Sequence, residues 1–248
     1  MPESVVLLHG FSGTGRAWDG VATRLQGEGY LPFALDLPGH GSARDWERPI
    51  TFASAVRDVL ELSPPRFALC GYSLGGRVAL HVALSAPERI SRLVLVSTSP
   101  GIADARERAE RRQADRALAD ELDAIGLERF IERWRAQPLF AQEPADVGAL
   151  AREDQRRNSP AALAEALRGL GAGEMQPLWE RLGELAMPVS VVVGDRDAKY
   201  VDLGTRMAGM IDGAELVVLR GGHALALEDP EGLAAVLSRR RAGREADG

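Results

Sequence analysis

Ser73 stands in the run Gly71-Tyr72-Ser73-Leu74-Gly75, directly after the strand-like stretch RFALC and directly before GRVALHVALSA, which reads as a helix. A serine held in a tight strand-to-helix turn projects its hydroxyl from the sheet edge. Flanking glycines let strand and helix approach without a Cβ clash. Such a hydroxyl becomes reactive when a base takes its proton and an acid orients the base. His223 follows the apolar run AELVVL, and the aspartates of Gly194-Asp195-Arg196-Asp197 follow VSVVV. Asp195 and Asp197 are the nearer candidates for the acid and Asp202 a more distant one. His9, His40 and His81 compete with His223 as base. The first two fall in loops better read as scaffold, and His81 sits two turns down the helix after Ser73, so His223 is the expected base.

His9-Gly10-Phe11 follows the first apolar run and precedes Ser12-Gly13-Thr14-Gly15. A glycine-rich loop there can aim the N–H of Phe11 at the point served by the N–H of Leu74, giving a developing oxyanion two donors. The loop lacks the G-x-x-x-x-G-K-[ST] spacing of a phosphate cradle, which argues against nucleotide binding. Cys70 is the one cysteine and lies inside a strand, where a thiol is usually a small buried hydrophobe. No internal disulfide can form, and no Cys/His cluster has metal-ligand spacing. Neither a metal nor a cofactor is expected.

These residues converge only if the chain places them at one edge. Apolar, β-branched runs at Val5 to Leu8, Leu31 to Leu35, Phe67 to Cys70 and Leu93 to Val96 are each followed by a candidate helix. That alternation predicts a mainly parallel sheet covered by helices on both faces. In such a sheet, ligand crevices lie at the carboxyl ends of the strands, where Ser73, His223 and the aspartates all fall. From Gly101 the pattern turns helical, through ADARERAERRQADRALADEL, LERFIERWRAQ and AALAEALRGL. Residues 1–100 and 187–248 therefore read as two parts of one core, and 101–186 as a helical insertion. Strands resume with VSVVV and AELVVL, a helix is expected from about Asp229 to Arg240, and the polar tail RAGREADG is expected to fray.

A chain of 248 residues can bury a substantial core, and 45 % apolar with 27 % charged residues is the balance of a globular protein rather than a disordered one. Its apolar runs fall far short of the roughly 20 residues that span a bilayer. The opening MPESVVLLHG has no basic segment before its apolar run, so a cytoplasmic protein is expected, with no membrane contact. A net charge of -6 repels phosphate backbones, and nucleic acid is not an expected partner. A monomer or small homo-oligomer is expected.

The stretches LHGFSG, DLPGHG, GYSLGGR, PGI with ERAER, RW with QPLF, RRNSPAALAEALRGLGAGEMQPLW, GDRDAKY and GGHALALEDP together resemble the 2-succinyl-6-hydroxy-2,4-cyclohexadiene-1-carboxylate synthases of menaquinone biosynthesis, within the α/β-hydrolase superfamily. The resemblance covers nearly the whole chain. It implies an α/β-hydrolase fold with about six strands, the insertion serving as a lid. The family pattern G-x-x-D selects Asp197 as the acid, and serine, acid, histidine is the chain order this fold uses.

The implied reaction is an elimination. A proton leaves a succinyl-bearing cyclohexene, the enol of pyruvate departs, and no cofactor takes part. Ser73, activated by His223 and Asp197, would act as a base rather than as an acyl-forming nucleophile. Such a substrate is a small polyanion, and arginine forks bind carboxylates bidentately. Arg77, four residues after Ser73, shares its helix face. Arg111 and Arg156 match the family's other clamps, with Arg157 an alternative to Arg156. Tyr72 and Trp134 are candidates for the pocket wall and equally for core packing. The competing reading is a carboxylesterase or carbon–carbon bond hydrolase in which Ser73 is a covalent nucleophile.

Overall fold

The computed structural model describes residues 2–45 and 49–239. Its sheet has six strands: β1 (Ser4–Leu8), β2 (Leu31–Leu35), β3 (Phe67–Tyr72), β4 (Ile90–Val96), β5 (Val189–Gly194) and β6 (Glu215–Leu219). Their order across the sheet is β2-β1-β3-β4-β5-β6, and every pairing is parallel. The helices are α1 (Asp19–Gly27), α2 (Phe52–Leu62), α3 (Leu74–Ser85), α4 (Ala105–Ile125), α5 (Leu127–Arg135), α6 (Ala145–Gln155), α7 (Pro160–Leu170), α8 (Ala198–Ala208), α9 (Leu225–Glu228) and α10 (Pro230–Ser238).

Alternate strand residues feed two cores. Val6, Leu8, Leu69, Leu93, Leu95 and Val191 pack beneath α2, α3 and α8. Val5, Leu7, Ala68, Cys70, Val94 and Val192 pack against α1 and α10 on the opposite face. The period-2 alternation of side chains explains why nearly unbroken apolar runs are tolerated, since both faces are covered. Cys70 is buried in the second core, and that burial pushes its thiol pKa up, which leaves it an apolar packing group.

Between β4 and β5 the chain is helical, as its charged, periodic sequence predicts. α4 packs along α7, and Ala119, Leu122, Phe130, Leu163 and Leu167 form a third core. The sequence reading did not single out α6. Its opening ADVG, behind Pro144, has turn-forming residues that mask its helical spacing. The last helix, behind the short α9, begins at Pro230 with Asp229 as its N-cap, in line with the expected start near Asp229. Arg240, the expected end of that helix, and the tail RAGREADG lie outside the described residues.

The chain leaves β1 toward β2 on one side of it, while β3 lies on the other. The loops at the carboxyl ends of β1 and β3 therefore diverge and open a crevice. Phe11 belongs to one of these loops and Ser73 to the other.

Candidate active site

Ser73 has φ 52° and ψ -107°, a conformation that costs an L-residue energy and is held by its surroundings. Its N–H donates to Val96 O at 2.9 Å, and its carbonyl accepts Thr98 Oγ1 at 2.7 Å. A Cβ on Gly71 would lie 2.3 Å from the carbonyl oxygen of Gly75, and one on Gly75 would lie 2.2 Å from that of Leu8. The elbow therefore needs both glycines, since backbone cannot move aside.

His223 closes on Ser73. Its Nδ1 lies 2.7 Å from Asp197 Oδ2 and its Nε2 lies 3.2 Å from Ser73 Oγ. A carboxylate only accepts, so Nδ1 carries the proton it donates to Asp197 and Nε2 is left to accept from the serine hydroxyl. Both partners are buried, at 3 % exposure for His223 and 6 % for Asp197. Asp195 is turned elsewhere: its Oδ1 accepts the N–H of Gly221 at 2.9 Å and so anchors the loop that carries His223. Asp202 lies within α8 and has no bond to the imidazole among the described residues. His81 Nδ1–H donates to Arg77 O at 2.8 Å and has no part in this chain of bonds.

The three groups open on a cavity of about 910 Å³, lined among others by Phe11, Tyr72, Arg77, Arg111, Trp134 and Tyr200. Leu74 is the first residue of α3, and its N–H has no intrahelical acceptor because the helix's first bond is Arg77 N to Ser73 O. The tilted ring of Tyr72 lies 5.2 Å from that of His223 between centroids, so Tyr72 both packs on the histidine and faces the cavity. Trp134 also faces the cavity while packing on its neighbours, stacking on Phe130 and meeting Phe11 edge-on.

Arg77 is half-buried, its Nη2 reaches only Leu170 O at 3.4 Å, and its Nε has no partner. Among the described residues no carboxylate forms an ion pair with it. Burial holds its pKa below the ordinary arginine value, with the positive field of Arg111 acting in the same direction. Arg111 also lines the cavity, and its Nε is held at 2.7 Å by the buried Asp115. Arg156 corrects the expectation. It is not in the cavity wall, because its Nε pairs with Glu128 at 3.0 Å on an exposed surface. Arg157, the alternative, pairs with Glu153 and also faces away.

Tyr200 was not singled out from the sequence. Its ring lies 4.6 Å from that of His223, on the first turn of α8 just past Asp197. Burial raises its phenol pKa, so the ring presents a neutral O–H beside Arg77 and Arg111. Arg206 lines the same cavity with its guanidinium 4.0 Å above the ring of Trp179. Their signal was the spacing from Asp197 along one helix, which acquires meaning only once the acid is fixed.

Among the described residues no group of three or more His, Cys, Asp or Glu is placed to hold a metal ion, and no helix is long and apolar enough to cross a membrane.

Residues 5–236 match the alpha/beta hydrolase family. The chain is 32% identical over 246 residues to the putative 2-succinyl-6-hydroxy-2,4-cyclohexadiene-1-carboxylate synthase of Bacillus subtilis (strain 168), covering 95% of this chain and 89% of that one. It is also 32% identical over 235 residues to the synthase of that name from Salmonella agona (strain SL483), covering 93% and 90%. Among solved structures, MenH from S. aureus superposes with a TM-score of 0.88 at 32% identity, covering 95% of this chain and 91% of the other.

Proposed function

The chain belongs to the alpha/beta hydrolase family and, within it, to the 2-succinyl-6-hydroxy-2,4-cyclohexadiene-1-carboxylate synthases; we propose that it is a lyase of menaquinone biosynthesis, eliminating pyruvate from a succinyl cyclohexene carboxylate. The observation that carries this reading is Arg77: a cation in the wall of the serine's cavity, without a carboxylate partner among the described residues. A desolvated, unpaired charge is costly, and an anionic substrate supplies what the protein withholds.

In this reading Asp197 fixes the imidazole tautomer and His223 Nε2 accepts the hydroxyl proton. Ser73 Oγ then takes the proton from substrate carbon. The electron pair left behind forms the new ring double bond, and the carbon–oxygen bond to the enolpyruvyl group breaks. The leaving enolate takes up the proton held on His223, so that pyruvate departs as its enol and the imidazole returns to neutral. Negative charge that develops on a substrate oxygen meets the N–H groups of Phe11 and Leu74. Arg77, Arg111 and the O–H of Tyr200 hold the carboxylates, while Tyr72 and Trp134 wall the cavity.

The test is a paired assay of pyruvate release from the pathway intermediate and hydrolysis of a neutral p-nitrophenyl ester. Fast pyruvate release with weak ester turnover, both abolished by Ser73→Ala, is expected. Fast ester turnover with a trapped acyl-Ser73 species and little pyruvate would instead mean a carboxylic ester hydrolase.

A further inference from the structure

The loop that carries Phe11 is held from the helical insertion. Gly13 N–H donates to Gly10 O at 3.1 Å, which closes a four-residue turn from Gly10 to Gly13. Its third residue, Ser12, has φ 64°, while Phe11 is not among the residues with positive φ. A single positive φ at the third position defines a type II turn, in which glycine or asparagine is favoured there. Serine in that conformation costs roughly 1–2 kcal/mol and stays only where neighbours over-determine it.

The neighbours are at the end of α6. Asn158 Nδ2 donates to Ser12 O at 2.8 Å, and its Oδ1 accepts the N–H of Gly41 at 2.9 Å. Gln155 Nε2 donates to Ser12 Oγ at 2.7 Å. Asp154 Oδ2 accepts the N–H of Thr14 at 2.8 Å, and its Oδ1 accepts the Thr14 hydroxyl. All of these side chains are buried, with Asn158 at 6 % exposure and Ser12 at 0 %. A cluster of this kind inside a helical cap would be unneeded if the cap only covered the cavity.

We infer that Asn158 and Gln155 are positioning residues for the reaction, acting through Ser12 to keep the Gly10–Gly13 turn in the form that presents the Phe11 N–H to the oxyanion. The inference rests on the assignment of Phe11 as a donor, and it makes the insertion a part of the catalytic geometry rather than a cover. Without the clamp, Ser12 leaves positive φ and the turn opens, so the bond from Gly13 N–H to Gly10 O that orients the Gly10–Phe11 peptide is lost and the Phe11 N–H, which belongs to that peptide, rotates away. The donor is then lost from the site while substrate contacts from Arg77 and Arg111 remain.

The experiment measures kcat, KM and Tm for Asn158→Ala with the pathway intermediate and with p-nitrophenyl acetate, then repeats them after adding Ser12→Gly. Expected is a fall in kcat of about tenfold or more in both reactions, with KM little changed. Ser12→Gly is expected to restore much of kcat, because glycine adopts positive φ without being held. An unchanged kcat, a loss confined to KM, or a kcat that Ser12→Gly does not restore would each overturn the inference. If Asn158→Ala does not fold, Gln155→Ala, which removes only the bond to Ser12 Oγ, is read by the same criteria. Little pyruvate release from the unaltered protein would refute the lyase reading instead, and the ester reaction would still judge the turn.

Discussion

The N–H of Arg77 closes the first turn of α3 on the carbonyl of Ser73, 3.2 Å away. One backbone bond thus fixes a cation at a set distance from the candidate nucleophile, and the strained elbow that exposes the hydroxyl also aims the guanidinium. Function and stability pull apart at this residue. Arg77→Met keeps the volume of the stem but removes a buried charge that the protein leaves unpaired. It is expected to lower kcat/KM for the anionic substrate by about a hundredfold, to affect a neutral ester much less, and to hold or raise Tm. A Tm that falls together with activity would make the guanidinium a structural group.

The two aspartates of Gly194-Asp195-Arg196-Asp197 are separable by their partners. Asp197→Asn removes the carboxylate charge and lets an amide NH2 face Nδ1, which holds the imidazole in the wrong tautomer. It is expected to lower kcat by about 10³-fold or more, the behaviour of an orienting acid in serine enzymes. Asp195→Asn loses only part of a loop anchor at Gly221 and is expected to cost far less. Equal losses in steady-state kinetics would reject the assignment of the acid.

Arg156 is spent on Glu128 at the surface. Arg156→Ala is therefore expected to leave kcat and KM for the anionic substrate unchanged, whereas Arg111→Ala raises KM. A raised KM in the Arg156 variant would show that the insertion moves to bring this side chain inward.

Acid destabilises the pair His9 and His40, whose rings lie 4.9 Å apart between centroids and are fully buried. Burial lowers both pKa values, and for His40 the neighbouring His9 adds to it, bringing the pKa from 6.5 to about 3. The unfolded chain takes up these protons below pH 6.5 and the folded protein does not. Stability is therefore full above 6.5 and, through His40, lost as pH falls toward 3 by up to about 1.4 kcal/mol per pH unit, with His9 acting in the same direction. Urea unfolding between pH 7.5 and 5 reads this slope. His40→Gln should flatten it, and an unaltered slope in that variant would remove the pair from the account.

Much of this was readable before any geometry. The strands announce themselves because both sheet faces are covered, so their apolar runs are continuous, and Ser73 and His223 each sit in glycine-flanked turns whose local chemistry is distinctive. The acid was harder. Asp195 and Asp197 are two residues apart, so the residues alone left both open and the family pattern favoured Asp197; their hydrogen bonds show that Asp197 meets the imidazole and Asp195 meets Gly221. Arg156 misled for a related reason. Whether an arginine at the end of α6 faces in or out depends on how that helix is rotated, and the burial of Asp154, Gln155 and Asn158 against the loops after β1 and β2 turns Arg156 and Arg157 outward. Tyr200 was invisible because a tyrosine three residues past an aspartate carries no pattern of its own.

The register between β4 and β5 sets an order of assembly. β4 ends at Val96 and β5 begins at Val189, yet Leu93 pairs with Val189 and Val96 with Val192. The ribosome therefore delivers β1 to β4, with Ser73 already at its turn, long before the strands that bring Asp197 and His223 exist. Through that interval the free side of β4 is an unpaired apolar edge, and the closing contact must span the whole insertion, which makes it slow. The nascent chain is exposed to aggregation at that edge until β5 emerges behind α4 to α7 and pairs with it.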